Sequence, residues 1–471
     1  MNVVGTGRGP TIRFRVAVTA GRLAAEVSRR LGCGGGSVIG GRVAHRLCPD
    51  VLTRLAAGRT SVLVTGTNGK TTTSHLVAAA LRDRGPVAHN ASGSNMLDGA
   101  VGALMATPRS RLCVLEVDEL HLGPVLDAVR PAVLVLLNLS RDQLDRVSEV
   151  RQTARTVESV LARHPDTVVV ANADDPLVVS AAGSSPHVVW VAAGAGWEAD
   201  TRTCPTCGHQ VSRRTNGLRA VSWWCDHCGL HRPCPAWWWT PADEPGGFVV
   251  HHRDVAAVTV VSGLPGRVNR SNTTIALAAA DAVGTDPASA APHVARVRSV
   301  AGRYDRVAWE DRLVRSVLVK NPAGWGEALD VLAGARPVLL VVNAREADGR
   351  DVSWLWDLPV DVLRGRVVAV AGERAADLGV RLSYAGIPHH SHPDPLVALA
   401  ALPAGEVDAV ANYTAFRDLR RSLAGPARPR RPGGGTGHPR PAPEVPPPGP
   451  PGPAEPAGPD SGRRRCAPTV P

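Results

Sequence analysis

No apolar run in this chain approaches the roughly 18–20 residues that cross a bilayer, so no membrane-spanning helix is expected. The N-terminus also lacks the uninterrupted core of a signal peptide. Its apolar patch at Val16–Ala20 is crowded by Arg13, Arg15 and Arg22, which makes a cytoplasmic location the expectation. Aromatic residues are scarce, at 4% of the 471 residues, and acidic groups are outnumbered, leaving a net charge of +11. A basic surface attracts nucleic acid, anionic membrane or phosphorylated substrates, and much of it is also simply solvated arginine. An even set of cysteines is missing too. The nine present, four of them in two close pairs, suit metal binding in a reducing compartment better than disulfides.

What is there is mostly aliphatic. A 44% hydrophobic content supports large cores, and the length predicts two or three domains. Residues 12–58 alternate basic and apolar positions with helical spacing, interrupted by Gly34–Gly36. From Ser61 short apolar runs bounded by turn residues alternate with helical stretches: 61–65, 112–117, 132–137 and 167–171. This order implies an α/β fold, a mainly parallel sheet with helices on both faces and ligands at the carboxyl ends of the strands. After an insert the pattern resumes with a strand at 255–261 and a helix at 270–283. A further α/β region follows, with strands at 313–319, 337–342 and 366–370. The expected divisions are an N-terminal helical segment (1–58), a central domain (59–300) with an insert at about 201–240, a smaller C-terminal α/β domain (301–424) and a tail (425–471). From Pro426 onward 16 of 46 residues are proline, which predicts disorder.

The strongest chemical signal is the run Val62 to Thr73. An apolar strand feeds Gly66-Thr67-Asn68-Gly69-Lys70-Thr71-Thr72, and an apolar helix follows from Leu76 to Leu81. Glycines let backbone N–H groups curl around phosphate oxygens, Lys70 adds a point charge, and the Thr71 hydroxyl is a ligand type for Mg²⁺. The strict phosphate-loop pattern has glycine where Val64 stands, so this loop is a variant. Polar groups recur after the following strands: Glu116 and Asp118, then Asn138 with Arg141-Asp142-Gln143-Leu144-Asp145-Arg146, then Asn172-Ala173-Asp174-Asp175-Pro176. A carboxylate there can hold a metal ion directly or through water; any one of them can equally cap a helix.

The insert carries Cys204-Pro205-Thr206-Cys207-Gly208 and Cys225-Asp226-His227-Cys228-Gly229. Two such knuckles predict a tetrahedral four-cysteine zinc ribbon, structural because no position is left open. Cys234, His209, His227 and His231 are substitute ligands. Trp223, Trp224, Trp237, Trp238 and Trp239 flank it. They either form its core and dock it to its neighbour, or stack on nucleotide bases, or seat at a membrane interface; docking is the preferred expectation. Cys33, in Gly32-Cys33-Gly34, has no preceding strand or following helix and is not a nucleophile elbow.

The loop Gly66–Thr72 resembles the ATP loop of the Mur ligase family. Together with 141–146, 172–176, the cysteine insert, Lys320-Asn321-Pro322-Ala323-Gly324-Trp325 and Ala347-Asp348-Gly349-Arg350-Asp351-Val352-Ser353-Trp354, it is similar to the MurT branch over about 15–424. The resemblance implies a Mur-ligase-like ATP-binding domain and ATP-dependent amidation of the D-glutamate α-carboxylate of lipid II. The expected route is an acyl phosphate, with ATP and Mg²⁺ as cofactors. It implies Lys70 and Glu116 as catalytic groups, with Thr71 and Glu116 as magnesium ligands. Gly66, Thr67, Asn68, Gly69, Lys70, Thr71, Thr72, Asn272 and Arg303 are then the nucleotide contacts. Ammonia would come from a class I glutaminase of the GatD type, forming a heterodimer. Asp351 would complete its catalytic dyad across the interface, with Asp348 and Asp357 as second choices. A lipid-linked substrate implies work at the inner face of the membrane. Only 60 residues precede Ser61, fewer than Mur ligases use to hold a UDP sugar, so the substrate must be held differently. Two competing expectations are a nucleic-acid-binding NTPase that uses the ribbon and basic tail, and an amino acid ligase of the folylpolyglutamate type. A nucleic-acid partner is the weaker expectation.

Overall fold

The computed structural model describes residues 11–31, 35–141, 150–194, 198–216, 220–244, 246–298, 300, 304–331 and 336–425. Arg303, the stretch Asp142–Arg146, Cys33 and the proline-rich tail from 426 lie outside the described residues.

Three helices open the chain: α1 (Ile12–Arg30), α2 (Ser37–Leu47) and α3 (Val51–Ala56). Then come β1 (Thr60–Thr65), α4 (Lys70–Ala80), β2 (Val87–His89), α5 (Leu97–Ala106), β3 (Leu112–Glu116), α6 (Leu122–Val129), β4 (Val133–Leu136), α7 (Val150–Ala162), β5 (Val168–Asn172), α8 (Pro176–Ala182) and β6 (Val188–Val191). The insert contributes the hairpin β7 (Ser212–Asn216) and β8 (Ala220–Trp224). The chain returns through β9 (Trp237–Pro241), β10 (Gly247–His252), β11 (Val258–Val261), α9 (Arg267–Ala282) and α10 (Pro287–Ala295). The last region holds β12 (Tyr304–Trp309), β13 (Arg312–Leu318), α11 (Pro322–Val331), β14 (Val338–Val341), β15 (Val368–Ala371), α12 (Ala375–Tyr384), β16 (His389–Ser391), α13 (Pro395–Ala400), β17 (Gly405–Ala411) and α14 (Tyr413–Ala424).

Two sheets result. The first has nine strands in the order β11-β10-β9-β6-β5-β4-β1-β3-β2. It is parallel from β2 to β9 and ends in the antiparallel pairs β9–β10 and β10–β11. Every residue of Val133–Leu136 is buried, as expected of a parallel strand covered on both faces. One face packs against α1–α3 and α5–α8, the other against α4, α9 and α10. The second sheet runs β12-β13-β17-β14-β15-β16, with only β12 antiparallel.

Every strand expected from the apolar runs forms within two or three residues of its expected ends, and the 270–283 helix is α9. One expectation changes. Trp237–Trp239 belong to β9 of the main sheet, not to the ribbon, because their alternate side chains fill the core below α9. The ribbon proper therefore ends before β9. Strand β17 was not apparent in the sequence, since Asp408 interrupts its apolar run. That carboxylate is buried between the Arg315 (3.1 Å) and Arg366 (3.4 Å) guanidiniums, which lets a charge lie inside the sheet.

The N-terminal helices share the core of the first sheet through Ala17, Ala44, Val51 and Leu52. Helices α1 and α2 cross at a pair of glycines: a Cβ on Gly40 would lie 2.6 Å from the Gly21 carbonyl oxygen. Gly40→Val must push the helices apart, at a cost of about 1–3 kcal/mol for overpacking. A lowered midpoint in thermal unfolding checks this, and an unchanged midpoint would refute the close crossing.

Candidate active site

Strand β1 runs directly into the phosphate loop. Gly66 (φ 128°) and Gly69 (φ 82°) take backbone conformations that side chains oppose, and α4 starts at Lys70. The loop is braced from the end of β4. The Asn138 carbonyl accepts from the Thr67 N–H (2.9 Å), its side-chain oxygen accepts from the Asn68 N–H (2.9 Å), and its amide donates to the Asn68 carbonyl (3.1 Å). A Cβ on Gly66 would meet the Asn138 backbone at 3.0 Å, so the loop cannot back away from β4. Asn272 of α9 closes over the loop, with its Oδ1 3.1 Å from the Cβ position of Gly69.

Glu116 ends β3, and its backbone is pinned by Asn90, which accepts from the Glu116 N–H (2.8 Å) and donates to its carbonyl (2.9 Å). The carboxylate is buried, and its Oε2 has no hydrogen-bond partner among the described residues. An unsatisfied buried carboxylate oxygen is costly. The same spot faces the Thr71 hydroxyl: a Cβ on Gly93 would stand 3.5 Å from Thr71 Oγ1 and 3.8 Å from Glu116 Oε2. A hydroxyl and an unpartnered carboxylate oxygen around one small space are a fitting donor set for Mg²⁺.

Lys70 is buried beside this pair, but its ammonium is held by an acid that no sequence motif singles out. Nζ lies 2.9 Å from Glu119 Oε2 and 3.9 Å from Asp118 Oδ2. Burial raises the pKa of Glu119, but the Lys70 charge and hydrogen bond outweigh it, and the carboxyl sits below its ordinary value. Lys70 must leave Glu119, in whole or part, to meet a phosphate.

The second sheet supplies the opposite wall. Asn68, Gly69, Thr72 and Asn272 face Lys320 and Gly324 across one pocket. Lys320 follows β13, and Asn321 Oδ1 accepts from the Gly324 N–H (2.9 Å) to open α11. In the sequence Lys320 stands out only as part of a motif, although a further signal was available. The chain has 53 lysines and arginines together, and only Lys70 and Lys320 are lysines. Lys320 lines this pocket, and Lys70 follows Gly69, which also lines it.

The other polar motifs divide between bracing and docking. Asp175 caps α8 through the N–H groups of Leu177 and Val178 and accepts from the Leu139 N–H (2.9 Å), which ties β5 to the end of β4. Asp174 pairs with Arg232 (2.5 Å) of the ribbon, and Trp223 donates to the Ala173 carbonyl (3.1 Å). Trp223 is buried, so docking is its role and base stacking is closed to it. Arg141 holds Asp200 (2.6 Å) and reaches Asp357 (3.8 Å) of the second sheet's region. Asp348 is buried and accepts from Thr414 and from the Arg345 N–H, a structural use. Asp351 is exposed and accepts from the Ser353 N–H (2.8 Å) just ahead of the 3₁₀ helix Ser353–Asp357; hydrogen bonding with Ser353 holds its carboxyl below the usual range.

In the ribbon the four thiols converge. The Sγ atoms of Cys204, Cys207, Cys225 and Cys228 all lie within 4.8 Å of one another, with Cys204–Cys228 at 3.5 Å and Cys207–Cys225 at 3.4 Å. Such spacings fit four thiolates around a tetrahedral ion with Zn–S bonds of about 2.3 Å. The N–H groups of Cys228 and His227 favour the thiolate of Cys225, while the neighbouring thiols push Cys207 and Cys228 upward, as expected of four sulfurs crowded together without a cation. His209 and His227, stacked 3.7 Å apart, lie beside Cys207 and are the nearest substitutes.

The Mur ligase middle-domain family matches residues 64–204, and the MurT ligase C-terminal family matches 318–416. Among curated proteins, the MurT subunit of the glutamine-hydrolysing lipid II isoglutaminyl synthase of Streptococcus pneumoniae is 27% identical, covering 88% of this chain and 97% of its own. The Staphylococcus aureus MurT subunit is 28% identical over 80% of this chain and 89% of its own. Among solved structures, a type C pseudomurein peptide ligase from Methanothermus fervidus superposes with a TM-score of 0.63 at 17% identity, covering 79% of this chain and 80% of its own. MurF from Acinetobacter baumannii gives 0.60 at 17% identity, covering 81% and 80%. At such identities these two likenesses carry the fold alone. The chain belongs to the Mur ligase family and is a ligase. Within that family it is of the MurT type, by its C-terminal domain and its full-length relatives.

If the four thiols hold zinc, metal analysis of the purified chain should find about one equivalent, and Cys225→Ser should lower it while reducing thermal stability. Full metal content in that variant would exclude the four-thiolate site.

Proposed function

We propose that this chain is the synthetase subunit of a lipid II amidotransferase, converting the D-glutamate α-carboxylate of the stem peptide to the amide with ATP. The observation that carries the reading is the pocket between the two sheets. It joins Asn68, Gly69 and Thr72 of the loop to Lys320, and the Thr71 hydroxyl next to Thr72 shares a small space with the buried Oε2 of Glu116. The full-length MurT relatives supply the substrate class.

The substrate carboxylate oxygen attacks the γ-phosphorus of ATP, ADP leaves, and an acyl phosphate forms. Ammonia then adds to the acyl carbon, phosphate departs and nitrogen loses a proton. The work of this chain is to offset the charge that builds on the moving phosphoryl group. Lys70, released from Glu119, and Lys320 from the facing wall bring two compact cations to it. Thr71 and Glu116 would hold Mg²⁺, which adds further charge neutralisation there. Gly66–Thr72 would wrap the phosphates with backbone N–H groups, and Asn272 and Arg303 would contact the nucleotide.

A glutaminase partner of the GatD type is the proposed ammonia source, and the location is the cytoplasm, at the inner face of the membrane. Asp351, exposed at the edge of the C-terminal domain, would orient and stabilise the partner's imidazolium. Its bond to the Ser353 N–H fixes the carboxylate's direction without burying it.

Three substitutions test the scheme. Lys70→Ala abolishes ATP-dependent amidation with either nitrogen source. Lys320→Arg keeps the charge but not the compact ammonium, and lowers the amidation rate by about tenfold or more. Asp351→Asn impairs glutamine-dependent amidation by about a hundredfold while sparing amidation from free ammonia. Equal loss of both activities in the Asp351 variant would count against the shared dyad. Amidation of lipid II is followed by mass spectrometry with the glutaminase present and absent. Incorporation of an amino acid in place of ammonia would select the ordinary ligase reading.

A further inference from the structure

Helix α1 is apolar on the side that faces away from the protein. Its inward side is set by Ala17, Gly21 and Ser28, which are buried, and by the crossing of Gly21 with Gly40 of α2. At 3.6 residues per turn, Ile12, Val16, Leu23 and Val27 fall within about 60° of one another, on the opposite side. These four side chains are between 54% and 82% exposed and form a continuous aliphatic stripe.

The charge around the stripe has one sign. Arg15, Arg22 and Arg29, seven residues apart, form a row along one flank, in which Arg22 donates to the Met105 carbonyl (2.8 Å) of α5 and Arg15 and Arg29 point along the exposed side. Arg13, which donates to the Leu47 carbonyl (2.7 Å), stands on the other flank, Arg30 lies at the end of the stripe itself, and Glu26 is the helix's one acid. Glu26 sits between Arg29 (2.6 Å) and Arg30 (2.9 Å) and offsets only part of that charge. An aliphatic row edged by arginines matches a surface that is apolar underneath and anionic on top. A protein groove would have to supply both an apolar floor and an acidic rim. A bilayer of anionic lipids supplies both along any length.

We propose that α1 lies in the surface of an anionic bilayer, with its aliphatic row among the acyl chains and its arginines at the lipid phosphates. The inference rests on the lipid-linked substrate proposed above and gives that substrate a docking face. The helix is part of the first domain's core, so seating it fixes that domain, and the pocket it carries, at the membrane. A single helix of this kind binds reversibly, which suits an enzyme that works on successive lipid-linked molecules.

The test uses the full chain with its glutaminase subunit, sedimented with vesicles of phosphatidylcholine alone or mixed with phosphatidylglycerol. The wild type should bind the mixed vesicles about tenfold more tightly than the neutral ones, and lose that advantage at high salt. L23E/V27E should bind the mixed vesicles at least about tenfold more weakly. R15E/R29E should lose the preference for them, and V261E, a similarly exposed control on β11, should change nothing. The tail is intact in every variant, so its arginines cannot account for a difference. Amidation of a soluble, lipid-free substrate analogue should be unaltered in L23E/V27E; a loss there moves the decision to R15E/R29E. Failure of amidation with vesicle binding intact would refute the enzymatic reading alone. Absence of wild-type binding, or equal binding by both double variants, overturns the proposal. So does loss of glutaminase association in place of vesicle binding, which would make the face a protein interface.

Discussion

The grip of Asn138 on the phosphate loop is the constraint on which the site depends. Three hydrogen bonds, two with backbone and one with side-chain acceptor atoms, fasten Thr67 and Asn68 to the end of the neighbouring strand. They fix where α4 begins, and therefore where the Lys70 ammonium and the Thr71 hydroxyl point. Because β1 lies between β3 and β4, that one anchorage also sets the distance to Glu116, whose backbone is clamped by Asn90. A parallel sheet collects these groups at a single edge, since all its strands end there.

Buried charge is the second organising feature, and it falls into two kinds. Arg315 and Arg366 around Asp408, and Arg232 on Asp174, are paired and structural; removing one member of such a pair typically costs about 3–5 kcal/mol. Around the loop the arrangement is incomplete. Lys70 is satisfied by Glu119, but Glu116 Oε2 has no hydrogen-bond partner among the described residues. Stability alone would favour closing that gap. Under the proposed function, a ligand that carries both phosphate and a divalent cation would close it and release Lys70 in the same event.

Much of the fold was readable in advance. The valine-rich strands are buried on both faces and read as unbroken apolar runs, and the phosphate loop announced itself by glycine spacing and the helix behind it. The cysteine knuckles were equally plain, because metal-ligand spacing is local. What escaped were elements whose stabilising partners are distant. Strand β17 contains a charged residue that only Arg315 and Arg366 make tolerable. The Trp237–Trp239 run looked like part of the ribbon, since aromatic residues near cysteines do not reveal which core they enter. Glu119 stands three residues after Glu116, and only the turn between them aims it at Lys70.

The amino-acid sequence by itself determined the element order, the glycine loop ahead of α4 and the four thiols, all of which depend on spacing over a few residues. Tertiary structure alone decided that Lys320 faces Lys70's loop from another sheet and that Asp348 serves structure while Asp351 stays exposed. It also turned the aliphatic side of α1 outward. Those outcomes are set by which surfaces meet across hundreds of residues, and periodicity along the chain carries no record of that.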